Sequence, residues 1–311
     1  MKVIDMHCDT LYELNKHKSY HLLNAPLQLN IEKMNEVDYL LQNFAIFTDL
    51  KVDHPIPHYH DLLDIYYKEL EINHDLLHPI YSYSDIEEGL QNHKIMTLLT
   101  IEEGDIINDD LSMLDQLYHD GVRMITLTWN YPNKIGYPNI DGKYKDIGLT
   151  EFGKKYIKKC EELGIIIDVS HASDQVFYDV LHLTSKPFVA SHSNSRTICE
   201  NYRNMSDEMI IELDKRGGVL GINYFKEFIS NDHKSTIENI IKHIDYVKSI
   251  ASINVIGLGS DFDGIDDDLE LKDASMIQLL YDALVSHGYS NEDIEKIFYK
   301  NVLRVYKEVL K

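Results

Sequence analysis

His7, Asp9, Glu102, His171, His192 and Asp261 stand at or just past the ends of five short apolar runs. Val3-Ile4-Asp5-Met6 precedes His7 and Asp9, and 96–101 precedes Glu102. His171 follows 165–169, His192 follows 187–191, and Asp261 follows 255–259. Each run reads as a buried β-strand. Imidazole and carboxylate groups set at successive strand ends are what a hydrolytic metal centre on the C-terminal face of a parallel barrel needs. One such placement would mean little; the repetition carries the signal.

The individual motifs differ in weight. In His7-Cys8-Asp9, side chains two residues apart on a strand share a face, so both reach one cation. Cys8 then points the other way and reads as packing. Glu102 offers a carboxylate able to bridge two ions, whereas Glu103 beside it reads as a helix-start carboxylate. Asp168-Val169-Ser170-His171 and Ser191-His192-Ser193-Asn194 supply two imidazoles from neighbouring strands. Singly, each has a bland reading as a hydrogen-bonded pair or a core histidine. Jointly they suit zinc, with Mn²⁺ or Co²⁺ as substitutes. Two other clusters are set aside. His54-Pro55-Ile56-Pro57-His58-Tyr59-His60 reads as a proline-broken loop before a helix. The acidic run 261–268 lacks calcium-loop spacing, so its tail reads as solvated loop and only Asp261 as functional.

The elements that must position these residues alternate regularly. Candidate strands cover 3–7, 41–48, 95–101, 123–128, 165–169, 187–191, 218–223 and 255–260, with amphipathic stretches between them. Those stretches are 60–76, 109–119, 150–163, 173–183, 206–216 and 235–251. In the last, Ile237, Ile240, Ile241, Ile244 and Val247 fall on one helical face. Eight strands alternating with helices predict an α/β fold, a (β/α)₈ barrel spanning 1–311 as one domain. Segments 274–287, 291–299 and 302–310 read as extra C-terminal helices. A doubly wound sheet is the weaker alternative, because no glycine-rich phosphate loop follows the first strand. Stretches 15–36, 50–60 and 131–148 read as active-site or interface loops.

Composition narrows the function classes. Of 311 residues, 44% are hydrophobic, enough for a large core, and the formal charge of -22 disfavours nucleic acid or an anionic membrane as partner. Three cysteines without a CxxC pair argue against a disulfide framework and point to a reducing, cytoplasmic setting. No apolar run approaches membrane-spanning length, and the first strand begins too early for a signal peptide.

The motifs resemble the renal, or membrane, dipeptidase family of metal-dependent barrels. The match runs from Ile4-Asp5-Met6-His7-Cys8-Asp9 to Gly259-Ser260-Asp261-Phe262-Asp263-Gly264. Its most specific part is Gly148-Leu149-Thr150-Glu151-Phe152-Gly153, then Ile167 to His171, then Ser191-His192-Ser193, with Arg203-Asn204 beyond. The resemblance implies two zinc ions per chain, one on His7 and Asp9, the other on His171 and His192, with Glu102 bridging and taking part in catalysis. It implies that Arg203 grips the terminal carboxylate of a small dipeptide and that Asp261 accepts and returns a proton. A hydroxide between the ions would attack the peptide carbonyl. The family also implies tolerance of a D-residue at the C-terminal position, and a homodimer. Trp129 stands where the better-known animal members place a substrate-contacting histidine. It has one indole donor and no proton to transfer, and Asn130 beside it offers an amide donor instead. Two other readings are a metal-dependent amidohydrolase acting on a cyclic amide or small acyl compound, and a non-catalytic ligand-binding barrel.

Overall fold

The computed structural model describes residues 1–265 and 268–311. Asp266 and Asp267, in the acidic run read as solvated loop, lie outside the described residues. The strands are β1 (Val3–Asp5), β2 (Tyr39–Phe47), β3 (Leu77–Pro79), β4 (Ile95–Glu102), β5 (Val122–Thr126), β6 (Ile166–Asp168), β7 (Val189–Ser193), β8 (Val219–Ile222) and β9 (Ile256–Leu258). All pairings between them are parallel, and β2–β4 contact closes the ring β1-β2-β4-β5-β6-β7-β8-β9. This is the eight-stranded barrel expected from the alternation. Its strands read as continuous apolar runs because helices cover one face and the barrel core the other.

The additional strand β3 escapes the periodicity because it is three residues long. It pairs with Ile95–Thr97 of β4, while β5 takes the stretch from Leu99 onward. Pro79 is tolerated at the end of so short a strand.

Local chemistry sets the helix ends. Helix Glu151–Leu163 starts at Thr150, whose hydroxyl accepts from Gly153 N–H, and stops at Gly164 with φ 81°. Four α-helices among the described residues lie outside the predicted set: Thr10–Lys16, Ile31–Glu36, Tyr83–Asn92 and Lys226–Ile229. Ile31–Glu36, within a stretch read as loop, is capped by Asn30, and Tyr83–Asn92 begins with a Ser82/Asp85 capping box. One expectation is corrected: Pro55 opens helix Pro55–Ile72 at its first turn, where a missing N–H costs nothing, so His58 and His60 are helical rather than in a broken loop. His58 Nε2 lies 2.9 Å from Phe47 O, a structural contact at the end of β2.

The N-terminal mouth of the barrel is plugged by helix Asn301–Val309. Residues at strand starts, among them Ile4, Met96, Ile166, Val189 and Val219, form one buried cluster with Val302, Val305 and Tyr306 of that helix. Tyr306 donates to Asn43 Oδ1 inside the barrel at 2.7 Å, and Asn43 Nδ2 donates to Met6 O at 3.1 Å. Only the opposite, C-terminal mouth is left for a ligand. Among the described residues no helix is long and apolar enough to cross a membrane. The three cysteines are free and buried. Tyr306→Phe strands the buried Asn43 acceptor, so urea unfolding is expected to show a loss of about 1–3 kcal/mol with an unchanged m-value.

Candidate active site

Every sequence-predicted ligand converges at the C-terminal mouth. His7 Nε2 lies 3.4 Å from Asp9 Oδ2, 3.4 Å from Glu102 Oε2 and 3.6 Å from Asp261 Oδ1. Glu102 turns its other oxygen to the remaining imidazoles: Oε1 is 3.0 Å from His171 Nε2 and 3.6 Å from His192 Nε2. The two sets His7–Glu102–His192 and His7–Asp9–Asp261 each bring their ligand atoms within 4.8 Å of one another. His171 belongs to the first set by contact, since its Nε2 is also 3.0 Å from His192 Nε2. As expected, Cys8 turns away, with Sγ 3.3 Å from Asn43 O.

The hydrogen-bond partners on the far side of each ring decide which nitrogen carries a proton. His171 Nδ1 faces the acceptor Asn130 Oδ1 at 3.0 Å, so the N–H is there and Nε2 is a lone pair. His192 Nδ1 lies 2.8 Å from Ser191 Oγ, whose own proton goes to Asp168 Oδ2 at 2.5 Å. The hydroxyl therefore accepts from Nδ1–H, and His192 Nε2 is also a lone pair. Two imidazole lone pairs and a carboxylate oxygen thus face one another with no donor between them. His7 has no hydrogen-bond partner at either ring nitrogen, nor has Asp9 at Oδ1, among the described residues. These are the features of a cation site, because buried acceptors at such distances repel unless a positive charge lies between them.

Electrostatics agree. Burial, with Arg203 adding to it at His171 and His7 at His192, holds both imidazoles well below the ordinary histidine range, in the neutral form that ligates. Burial also pushes His7 down, but Glu102 and Asp9 outweigh it and hold its pKa well above the usual value. Glu102 is raised to about 7 by burial. Burial raises Asp261 as well, against the pull of His7.

The backbone is bent to achieve this convergence. His171 (φ 66°), Asp261 (φ 67°) and Glu103 (φ 86°) all occupy left-handed conformations that side chains rarely adopt. Glu103 fulfils the expected helix-start role by accepting from Asp105 N–H, and it also accepts from Trp129 N–H at 3.0 Å and from Asn133 Nδ2. Gly264 lies against the acids: a Cβ there would come within 2.2 Å of Asp9 Oδ2 and 2.8 Å of Asp261 Oδ1.

Several supports were not anticipated from the sequence. Asp168 accepts from Ser170 N, Ser191 N, Ser191 Oγ and Thr126 Oγ1 at 2.5–2.9 Å, locking β5, β6 and β7 beneath the imidazoles. Asn223 donates to Asp261 Oδ2 at 2.9 Å. His243 accepts from Ser195 N–H at 3.2 Å and donates to Ile229 O at 2.8 Å. It thereby ties the loop after β7 to helix Lys226–Ile229. Apart from the Ser170 N–H bond to Asp168, two residues along the chain, these contacts have no local signature, since each joins residues from different elements.

Arg203 is buried, and its Nη atoms lie 3.3 Å from Ser193 Oγ and 3.2 Å from His192 O, while Nε lacks a partner. Among the described residues no carboxylate pairs with it. Burial lowers its pKa to about 10, still charged at neutral pH. The mouth forms a cavity of about 400 Å³, at the small end for ligand sites. Asp9, Glu102, His171, Asp261, Trp129 and Asn130 line it. Arg203 is set back from that lining; Phe228, which does line it, lies over the guanidinium at 5.1 Å.

The membrane dipeptidase family, peptidase family M19, matches residues 1–311. The chain belongs to this family. A protein in the pqqA 5' region of Klebsiella pneumoniae is 32% identical over 265 residues, covering 80% of this chain and 97% of that protein. Human dipeptidase 3 is 30% identical over 249 residues, 76% of this chain but only 51% of its own length. A metallopeptidase from Rhodobacter sphaeroides, solved with a phosphinate mimic of the dipeptide L-Ala-D-Ala, superposes with a TM-score of 0.92 at 21% identity and 99% coverage of both chains. The resemblance seen in the motifs is therefore a family relationship, and the chain is a metallopeptidase of the dipeptidase type. Membership implies a metal cofactor, and the imidazole–carboxylate cluster is a group able to hold one.

Two predictions test the supports. Asp168→Asn places an amide donor among donors and disturbs the His192 tautomer, so zinc affinity of the apo protein, measured by calorimetry, is expected to fall about 10–100-fold. His243 is held down to about 4 by burial, below its unfolded value. The unfolded chain therefore takes up the proton first. The resulting stabilisation is complete above about pH 6.5 and is lost as pH falls toward 4, about 3 kcal/mol in all. Urea unfolding of wild type and His243→Gln at several pH values should show their difference shrinking over that window.

Proposed function

We propose that this chain hydrolyses the peptide bond of small dipeptides at a centre of two zinc ions, with Mn²⁺ or Co²⁺ able to substitute. The observation that carries the reading is Arg203: a buried guanidinium with no carboxylate partner among the described residues, set behind Phe228 at the edge of a cavity of about 400 Å³. A planar cation with parallel donors is suited to a terminal carboxylate, and an unpartnered one inside a protein is costly unless a ligand completes it. The two oxygens of Glu102 support the division of ligands, since one faces His7 and the other faces His171 and His192. His7 and Asp9 would hold one ion, His171 and His192 the other, with Glu102 between them.

Bound there, the ions supply Lewis acidity and lower the pKa of a water molecule. The remaining work falls to the chain. Asp261, fixed by Asn223 through Oδ2, presents Oδ1 to the centre and is placed to take a proton at that atom and return it to the leaving amine. Asn130 orients His171 through Oδ1, which leaves its amide N–H groups for a substrate oxygen. Trp129 walls the cavity and excludes water. The phosphinate L-Ala-D-Ala mimic bound by the Rhodobacter sphaeroides relative supports a D-residue at the C-terminal position.

The test is a panel of L,L and L,D dipeptides offered to apo protein reloaded with Zn²⁺, Mn²⁺ or Co²⁺ in turn. Cleavage of at least one dipeptide is expected, and none with any metal would sink the reading. Arg203→Ala should lower kcat/KM on a free dipeptide about 100-fold, mainly through KM, and should have little further effect on the corresponding dipeptide amide. An equal loss on both substrates would remove the carboxylate assignment.

A further inference from the structure

We infer that Trp129, Phe47 and Tyr12 form a rigid aromatic subsite that takes the side chain of the substrate's N-terminal residue and selects apolar ones; this deepens the dipeptidase reading and rests on it. All three line the cavity, and each keeps part of its surface open to it. Trp129 meets Phe47 edge-on at 4.9 Å between ring centres and Tyr131 at 5.5 Å. Phe47 in turn meets Tyr12 at 5.3 Å. The result is a continuous aromatic wall.

The barrel order decides which half of the substrate reaches that wall. Around the ring β1-β2-β4-β5-β6-β7-β8-β9, strand β7 lies opposite β2. Arg203 follows β7, and Phe47 ends β2. A dipeptide whose carboxylate turns toward Arg203 and whose carbonyl lies over Glu102 and His171 therefore sends its N-terminal residue across the mouth. It arrives at Phe47, Trp129 and Tyr12. Glu13 lines the cavity beside Tyr12, paired with Lys16 Nζ at 2.7 Å, and that ammonium lies 4.3 Å from the Tyr12 ring centre. Phe225 and Phe228 are left to flank the C-terminal residue.

The wall is preorganised. Trp129 N–H is held by Glu103, whose carboxylate also takes Asn133 Nδ2, and Asn133 in turn donates to Leu127 O at 2.9 Å. Ordering the wall therefore adds little cost when a ligand arrives. Part-exposed aromatic surface facing water gains most from an apolar side chain. One methylene in such a pocket is commonly worth about tenfold or more in discrimination.

Two series separate the subsites: Gly-Ala, Ala-Ala and Leu-Ala vary the N-terminal side chain, and Ala-Gly, Ala-Ala and Ala-Leu vary the other. With wild-type enzyme, kcat/KM should rise about tenfold or more from Gly-Ala to Leu-Ala. Trp129→Ala should flatten that ratio while leaving the Ala-Leu to Ala-Gly ratio in place, a split that general loosening of the fold would not produce. If Trp129→Ala does not fold, Phe47→Leu makes the same test. The chain contains one tryptophan, so its fluorescence reports on this wall directly. A phosphinate analogue of Leu-Ala should shift the emission to shorter wavelength more than the Gly-Ala analogue does. A flat N-terminal series, an effect confined to the C-terminal series, or equal emission shifts would each overturn the inference while leaving the dipeptidase reading standing. Absence of cleavage of every dipeptide would overturn both.

Discussion

Glu102 is the residue on which the site turns. It is buried, and its two oxygens look in different directions, one toward His7 and one toward the lone pairs of His171 and His192. Asp9 and Asp261 approach the same His7 nitrogen. So many acceptors within hydrogen-bonding range, with water largely excluded, form a stable arrangement only around positive charge. The charges of Glu102 and Asp9 push the His7 pKa up against the effect of its own burial. A metal ion held by this cluster would supply positive charge to the carboxylates and to the imidazoles alike. The centre is thus specified by what its ligands lack as much as by what they are.

Holding such groups together requires a scaffold that does not relax. Asp168, at the end of β6, gathers donors from β5, from β7 and from Ser170 just beyond β6, so the chain around His171 and His192 cannot shift without breaking several buried hydrogen bonds. Glycine supplies close approach where side chains would intrude: a Cβ at Gly259 would lie 1.8 Å from Ser191 O, immediately before His192. At the far mouth, the helix carrying Tyr306 fills the space beneath the strands and keeps that end dry. The left-handed residues at the strand ends are tolerable because this surrounding structure overdetermines them.

Much of this was legible in the sequence because barrel strands are apolar on both faces and end abruptly at polar residues. Each ligand is announced by the run that delivers it, and parallel order fixes that all the runs end on one face. What was not legible depends on contacts between distant segments or on elements too short to show a period. Strand β3 has three residues and no alternation to detect. The histidines after Pro55 looked like loop because proline was read as a breaker, whereas at a helix's first turn it is an initiator. Asn223 and His243 gave no local sign of their role, since each earns it only through a partner far along the chain. The setting of Arg203 behind Phe228 was likewise invisible, although the arginine itself was identified.

The residue at position 129 illustrates how such a site can change its substrate without changing its chemistry. What the fold needs there is a main-chain N–H for Glu103, and any residue except proline provides it. The Trp129 ring meets Phe47 at 4.9 Å and Tyr131 at 5.5 Å between ring centres, with His171 at 6.5 Å. Substitution at this position alters the shape and polarity of the cavity, while His171 and His192 are held by Asn130 and by Ser191 with Asp168. An indole at this position, unlike an imidazole, places no titratable group at the mouth. In exchange the cavity gains an apolar wall opposite the guanidinium, and a substrate is then recognised by charge at one end and by shape at the other.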